Sequence, residues 1–185
     1  IKHFDIHSIP NGAIILALGR RKSGKSVNIM NLLYAKKNAF AFGLVFCGST
    51  ATRIEYEKVV PKRFIYDEVN IDVLETLLAM QEKDVRNGCA KPVFVVADDC
   101  GYQSNVFRSK VFRRIFMNGR HSRIFFILSL QYAMGIRPAL RGQVDYVFAS
   151  MEKNQSYRKR LFEQYGICCK SFGTFDKIFV NFDDI

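Results

Sequence analysis

Several common signatures are missing from this 185-residue chain. No apolar run is longer than a strand, so no segment reads as membrane-spanning. No secretory leader opens it. The chain begins with Ile1 rather than Met, so its native N-terminus, and any targeting signal there, is expected upstream. Gly and Pro are not in excess, no stretch is low in complexity and no internal repeat is visible, which excludes collagen-like, linker-like and solenoid architectures. Cys47, Cys89, Cys100, Cys168 and Cys169 form no C-x-x-C pair, and His3, His7 and His121 are not spaced as their metal partners. These cysteines read as buried or free thiols of a reducing compartment. Adjacent Cys168 and Cys169 are poorly placed for a disulfide.

Acidic residues are also absent from one long window. Between Asp99 and Asp145 there is none, while Arg108, Lys110, Arg113, Arg114, Arg120, Arg123, Arg137 and Arg141 fall inside it. The net charge is +11 and the pI about 9.6, so these eight positions leave only +3 for the rest of the chain. Unopposed like charges repel, and the window is expected to meet a polyanion. A solvated basic face with no partner is the bland alternative.

What is present alternates between two periods. Ala13–Leu18, Gly43–Cys47, Arg63–Tyr66, Pro92–Ala97, Arg123–Ser129 and Tyr146–Ala149 read as short, mostly buried strands. Helical patterns cover Ser26–Lys37, Arg53–Val60, Ile71–Asp84, Val106–Met117 and Asn154–Gln164. Asn70 is the expected N-cap of the third, Val73, Leu74, Leu77, Leu78 and Met80 its apolar side, and Asn87-Gly88 its end. In the fourth, Phe107, Val111, Phe112 and Ile115 face one way, and Lys110, Arg113 and Arg114 another. Phe172–Phe182 suggests a terminal hairpin. The alternation predicts an α/β fold with a mainly parallel central sheet flanked by helices, and the hairpin antiparallel at one edge. With no linker, residues 1–185 read as one domain.

Gly19–Ser26, GRRKSGKS, matches the phosphate-loop pattern G-x-x-x-x-G-K-[ST] at every fixed position, with an apolar strand before it and a helical pattern after it. Gly19 and Gly24 let the backbone curl so that N–H groups point at phosphate oxygens. The helix beginning near Lys25 adds its positive end. Lys25 is placed to reach the β- and γ-phosphates and Ser26 to ligate Mg²⁺. Arg20, Arg21, Lys22 and Ser23 complete the nucleotide-binding loop. Arg20, Arg21 and Lys22 occupy variable positions, exposed or reaching a neighbouring subunit.

Val93–Asp99, VFVVADD, ends a buried strand in two carboxylates, at the strand end where parallel α/β sheets bind ligands. Asp98 is placed to hold Mg²⁺ through a water and Asp99 to orient or deprotonate the attacking water. Gln131 follows the next strand and would stand near the γ-phosphate. The expected cofactors are ATP and Mg²⁺.

GRRKSGKS, VFVVADD, NGRHSRIFFILSLQY and ALRGQVDYVF together resemble the genome-packaging ATPases of large double-stranded DNA viruses, the poxvirus type, in the FtsK/HerA branch of P-loop motors. The resemblance runs from about Gly12 to Gln164. It implies a P-loop ATPase of the additional-strand class, a homo-oligomeric ring around double-stranded DNA, and ATP-driven movement of a genome into a capsid. It also implies capsid or portal partners, and a soluble protein of the virion or of the assembly site in the host cytoplasm. Gln131 becomes the sensor, and an arginine finger is expected from a neighbouring subunit, with Arg120 and Arg141 the candidates. The chain departs from the pattern at Asp99, where most such motors carry Glu, and in having no recognisable separate DNA-guiding or nuclease domain. Two other readings stay open: a P-loop nucleotide kinase, whose arginine-rich lid the basic window would be, and a basic nucleotide-binding adaptor without turnover. The DNA path is expected along the basic window or near Tyr157–Arg160, YRKR.

Overall fold

The computed structural model describes residues 4–101, 105–132 and 135–180. His3 and residues 181–182 of the expected hairpin lie outside them. Six strands form one parallel sheet: β1 Ile14–Leu18, β2 Gly43–Cys47, β3 Ile65–Tyr66, β4 Val93–Asp98, β5 Ile124–Leu130 and β6 Tyr146–Ala149, in the order β3-β2-β4-β5-β1-β6. β1 lies between β5, with Leu16 opposite Leu128, and β6, with Leu16 opposite Val147. β5 therefore stands between β1 and β4.

β1, β2, β4 and β5 are buried along their whole length. Parallel strands covered on both faces need such continuous apolar sequence. Successive side chains alternate between two packed layers. Leu16, Val95, Phe126 and Leu128 meet Leu74, Leu77 and Leu78 of α3 (Ile71–Arg86) and Val111, Phe112 and Ile115 of α4 (Lys110–Asn118). On the other face Ile15, Val45, Val96, Phe125 and Ile127 meet Ile29, Leu32 and Leu33 of α1 (Lys25–Ala35) and Tyr56 of α2 (Thr50–Tyr56).

Capping side chains explain where several helices start. Asn70 Oδ1 accepts from Val73 N at 3.1 Å, as expected. α2 begins before the expected Arg53 because Ser49 accepts from Thr52 N. Ser109 caps α4 and separates it from a single 3₁₀ turn, Val106–Arg108, so the expected continuous helix is two pieces. In α3 the buried stripe is Leu74, Leu77, Leu78 and Gln81, spaced i, i+3, i+4, i+7. Met80 falls off that stripe and is exposed, contrary to the sequence reading.

The C-terminal hairpin is also corrected. Phe172–Val180 is a helix, α7, packed on α6 (Gln155–Tyr165) after the short α5 (Pro138–Arg141). Phe172 and Phe175 lie 5.8 and 5.6 Å from the Phe162 ring of α6, and Phe175 lies 5.0 Å from Phe179. The aromatic spacing i, i+3, i+7 wins over a partial alternation because it packs Phe172 and Phe175 on the Phe162 ring and buries Phe179 against Phe175. Phe179→Ala should therefore cost about 3–5 kcal/mol in urea unfolding, while exposed Val180→Ala should stay within about 0.5 kcal/mol. A larger loss at Val180 would support the hairpin.

Candidate functional site

The chain leaves β1 at Leu18 and turns through Gly19–Gly24 into α1. Two bonds fix the start of the turn to the sheet: Gly19 N donates to Leu130 O at 3.2 Å, and Ser150 N to Leu18 O at 2.7 Å. A Cβ on Gly19 would lie 2.6 Å from both Ser150 Cβ and Ser23 Oγ, so only glycine fits there. Gly24 caps α1 with φ +82°, the left-handed region that favours glycine. Lys22 also adopts positive φ, +60°, within the same turn. Lys25 Nζ folds back to donate to Gly19 O at 2.7 Å and Arg20 O at 2.8 Å, so its charge sits over the loop it follows. Burial holds the Lys25 ammonium below the ordinary lysine range, and the Asp98 and Asp99 carboxylates oppose that shift.

A cavity of about 670 Å³ opens on this turn. Residues Arg21–Val27 line one wall, Gly48, Ser49 and Thr52 another, and Asp98 and Asp99 a third. Ser23 Oγ is buried with no partner among the described residues. The first-turn N–H groups of α1 lack intrahelical acceptors, as at any helix start. A curled turn, a helix N-terminus, a lysine and an unpaired hydroxyl together form a cradle that fits polyphosphate oxygens. The Ser26 hydroxyl and the Asp98 carboxylate in the same cavity are hard oxygen donors of the kind Mg²⁺ takes beside a phosphate.

Asp98 is the last residue of β4 and 1% exposed. Tyr56, fully buried at the end of α2, donates its hydroxyl to Asp98 Oδ2 at 3.0 Å. Burial, followed by the charge of Asp98, pushes the Tyr56 phenol well above its usual range, so it remains a donor. Sequence reading missed Tyr56, because it is 42 residues from Asp98 and looks like one more aromatic on a helix. Asp99 turns out of the strand with φ +54°. Its Oδ1 accepts from Gln131 Nε2 at 2.9 Å, so the two expected site residues from β4 and β5 are in contact.

The other expected residues divide between this cavity and places outside it. The Arg20 side chain turns to Glu152, with Nε at 3.0 Å and Nη2 at 2.8 Å. Arg21 and Lys22 line the cavity. Arg120 pairs with Asp145, whose other oxygen accepts from Ile14 N at 2.8 Å. That puts Arg120 at the amino end of β1, on the order of 15 Å from the phosphate turn, the length of a five-residue strand. Arg141 bonds Ile136 O at 3.0 Å and Gln164 Oε1. Neither arginine is among the residues lining the phosphate-loop cavity.

The basic window is partly neutralised in three dimensions. Besides Arg120, Arg114 meets a carboxylate, forming two bonds to Glu82 at 2.7 and 2.9 Å, while Arg141 and Arg123 donate to uncharged oxygens and keep their charge. Among the described residues Arg108, Lys110, Arg113 and Arg137 stay exposed without an acidic partner. No described helix is long and apolar enough to cross a membrane.

An all-parallel sheet with β5 set between the phosphate-loop strand and the acidic strand, and a phosphate turn leading into α1, defines a P-loop ATPase fold of the additional-strand class. No protein-family model matches the chain. It is 32% identical over 168 residues to protein 088R of Invertebrate iridescent virus 3, covering 90% of this chain and 64% of that relative, so it spans under two thirds of the relative's length. Among solved structures it superposes on the genome-packaging NTPase B204 of Sulfolobus turreted icosahedral virus 2, in complex with ATP-gammaS, with a TM-score of 0.65. That match has 19% identity and covers 92% of this chain and 88% of that one. It also superposes on EssC (ATPases 2 and 3) of Geobacillus thermodenitrificans, with a TM-score of 0.63, 15% identity, and 84% and 34% of the two chains covered. The fold is thus shared with a viral genome-packaging NTPase and with the ATPase modules of EssC, and the chain has sequence relatives in large DNA viruses.

Tyr56→Phe leaves Asp98 Oδ2 without that donor and should cost about 1.5–3 kcal/mol in urea unfolding, the range for a bond to a charged group. No loss would mean that the buried bond contributes nothing. The buried thiols give a second check. Burial raises Cys47 to about 11 and Cys100 to about 12. The native chain should therefore be alkylated by iodoacetamide at pH 8 on exposed Cys89 and Cys168, leaving Cys47 and Cys100 unlabelled by mass spectrometry. Stability should fall as pH rises from about 9, because the unfolded chain then releases thiol protons that the folded chain retains.

Proposed function

We propose that this chain is the ATPase domain of a double-stranded DNA motor that packages a viral genome into a capsid, with residues 1–185 as one domain. The observation that carries the reading is the convergence of Lys25, Ser26, Asp98 and Asp99, the last held by Gln131, on one cavity at the phosphate turn. In the proposed chemistry the loop amides and Lys25 would hold the β- and γ-phosphates, and Ser26 and Asp98 would hold Mg²⁺. The metal supplies charge neutralisation on the phosphates. Asp99 takes a proton from the attacking water as its oxygen bonds to the γ-phosphorus, and ADP leaves with the electrons of the broken P–O bond. Gln131, held on Asp99, orients that water and senses the γ-phosphate.

The charge that builds on the transferring group needs more than Lys25. Arg120 and Arg141 lie outside their own chain's cavity, so either would reach a phosphate only in a second copy. That supports a homo-oligomeric ring in which one subunit supplies the finger to its neighbour. Capsid or portal components are the proposed further partners, in the virion or at the assembly site in the host cytoplasm. A nucleotide kinase would require an acceptor, and phosphate release from ATP alone separates the two readings.

Lys25→Ala should abolish phosphate release with the circular dichroism spectrum unchanged, and Asp99→Asn should keep ATP binding but lose turnover. Near-parental rates in either variant would sink the assigned role. Supplying an arginine in trans is worth on the order of 10³–10⁵ in rate in P-loop enzymes. Activity should therefore rise more than linearly with protein concentration. Mixing Lys25→Ala with Arg120→Ala or Arg141→Ala should restore part of it. No recovery where mixed oligomers are shown to form would exclude these fingers.

A further inference from the structure

An exposed cluster at the carboxyl end of the sheet takes no part in the proposed chemistry. Tyr132, the residue after Gln131, is 58% exposed, and Tyr157 of α6 is 36% exposed. Their ring centroids lie 6.0 Å apart. The guanidinium carbons of Arg20 and Arg160 each lie 5.9 Å from the centre of the Tyr157 ring. Lys153, Lys159 and Arg160 are exposed, with no acidic partner among the described residues. A packing cluster would bury its rings. This one instead displays them among cations, of which only Arg20 is neutralised, by Glu152. Arg160, beside the exposed Tyr157 ring with no acidic partner among the described residues, keeps a charge that an anion can meet.

Two short routes connect the cluster to the nucleotide cavity. Arg20 belongs to the phosphate turn, and the Glu152 carboxylate that grips it also accepts from Asn154 N at 2.8 Å, at the cap of α6. Arg158, nearly buried, ties the same segment to α7, donating to Glu152 O at 3.0 Å, Lys153 O at 2.7 Å and Asp176 Oδ1 at 2.6 Å. On the other side Tyr132 is bonded in sequence to Gln131, whose amide holds Asp99. A load on Tyr157 and Arg160 therefore bears directly on both the phosphate turn and the Asp99–Gln131 pair.

We propose that this Tyr132–Tyr157–Arg160 surface is where the phosphodiester backbone of double-stranded DNA contacts the chain and is coupled to ATP turnover. The inference rests on the motor reading above and assigns its DNA contact. Arg160 and Lys159 meet phosphate charges, and the two phenol hydroxyls donate to phosphate oxygens. Such contacts position a duplex without reading its sequence. The exposed residues of α4, Lys110 and Arg113, add charge but have no comparable bonded route to the nucleotide cavity among the described residues.

The test compares the whole chain with its Arg160→Ala, Tyr157→Ala and Tyr157→Phe variants and with a Lys110→Ala/Arg113→Ala double variant. Basal ATP turnover, turnover with a duplex of arbitrary sequence, and duplex affinity against salt are measured for each. Arg160→Ala should leave basal turnover unchanged, weaken duplex binding and reduce the log–log salt slope by about 1. Tyr157→Ala should bring duplex-stimulated turnover down to the basal rate. Tyr157→Phe, which keeps the ring and its packing, should retain part of the stimulation, and it guards against misfolding of the Ala variant. Parental binding and stimulation in the Arg160 and Tyr157 variants, with both lost in the Lys110/Arg113 variant, would overturn this surface while leaving the motor reading intact. If the unmodified chain shows no duplex affinity at low salt, the motor reading fails and the surface with it. Variants that bind duplex normally but no longer self-associate in sedimentation would assign the cluster to a second copy and overturn the proposal.

Discussion

Parallel pairing of β5 between β1 and β4 is the constraint on which the site depends. Every strand of a parallel sheet ends at the same edge, so the turns after Leu18, Asp98 and Leu130 emerge side by side. The register sets how closely. Leu18 is opposite Leu130, and Gly19 N bonds Leu130 O directly, so the phosphate turn and the residue before Gln131 share one hydrogen bond. On the other side of β5, Ala97 is opposite Leu128, and the chain beyond it carries Asp98 and Asp99 to the same level. A ring of side chains from three distant segments is thereby held by backbone bonds.

Burial then gives the two adjacent carboxylates different surroundings. Asp98 stays in the strand, inside the core, where an ionised group needs a donor and finds the Tyr56 hydroxyl. Asp99 leaves the strand through a left-handed conformation that costs a non-glycine residue about 1–3 kcal/mol. Its side chain is returned to the cavity edge and held there by Gln131. In the proposed mechanism this separates a metal-holding carboxylate from one that works on water. The shorter reach of Asp relative to Glu is met by a partner that comes to it.

Charge is distributed less simply than the window between Asp99 and Asp145 suggests. Glu82 reaches Arg114 from α3, and Asp145 bonds both Arg120 and the start of β1. Those pairs turn part of the apparent polyanion footprint into ties between elements. Among the described residues, cations without an acidic partner remain on α4 and beside it, at Arg123 and Arg137, and on α6. Those on α6 share a bonded segment with the phosphate turn. The chain also spans only 64% of its iridescent-virus relative, so the activities of the whole protein are proposals drawn from this part of it.

Local pattern was enough for the strands, the phosphate turn, the Asn70 cap and the acidic pair, because each depends on neighbours within a few residues. Continuous apolar runs specify buried parallel strands, and fixed glycine and lysine spacing specifies the turn. The sequence also indicated that Gln131 would stand near the acidic pair, since both follow buried strands. Tertiary structure alone decided the rest. Tyr56 reaches Asp98, and Glu152 reaches Arg20, across gaps of 42 and 132 residues, which no periodicity reveals. Phe172–Val180 became a helix because Phe162 of α6 offered a surface for the Phe172 and Phe175 rings, a partner invisible to local alternation. Arg120 and Arg141 were drawn into intrachain bonds for the same reason: long side chains take their nearest acceptor in space, and spatial neighbours are set by the sheet order rather than by the chain.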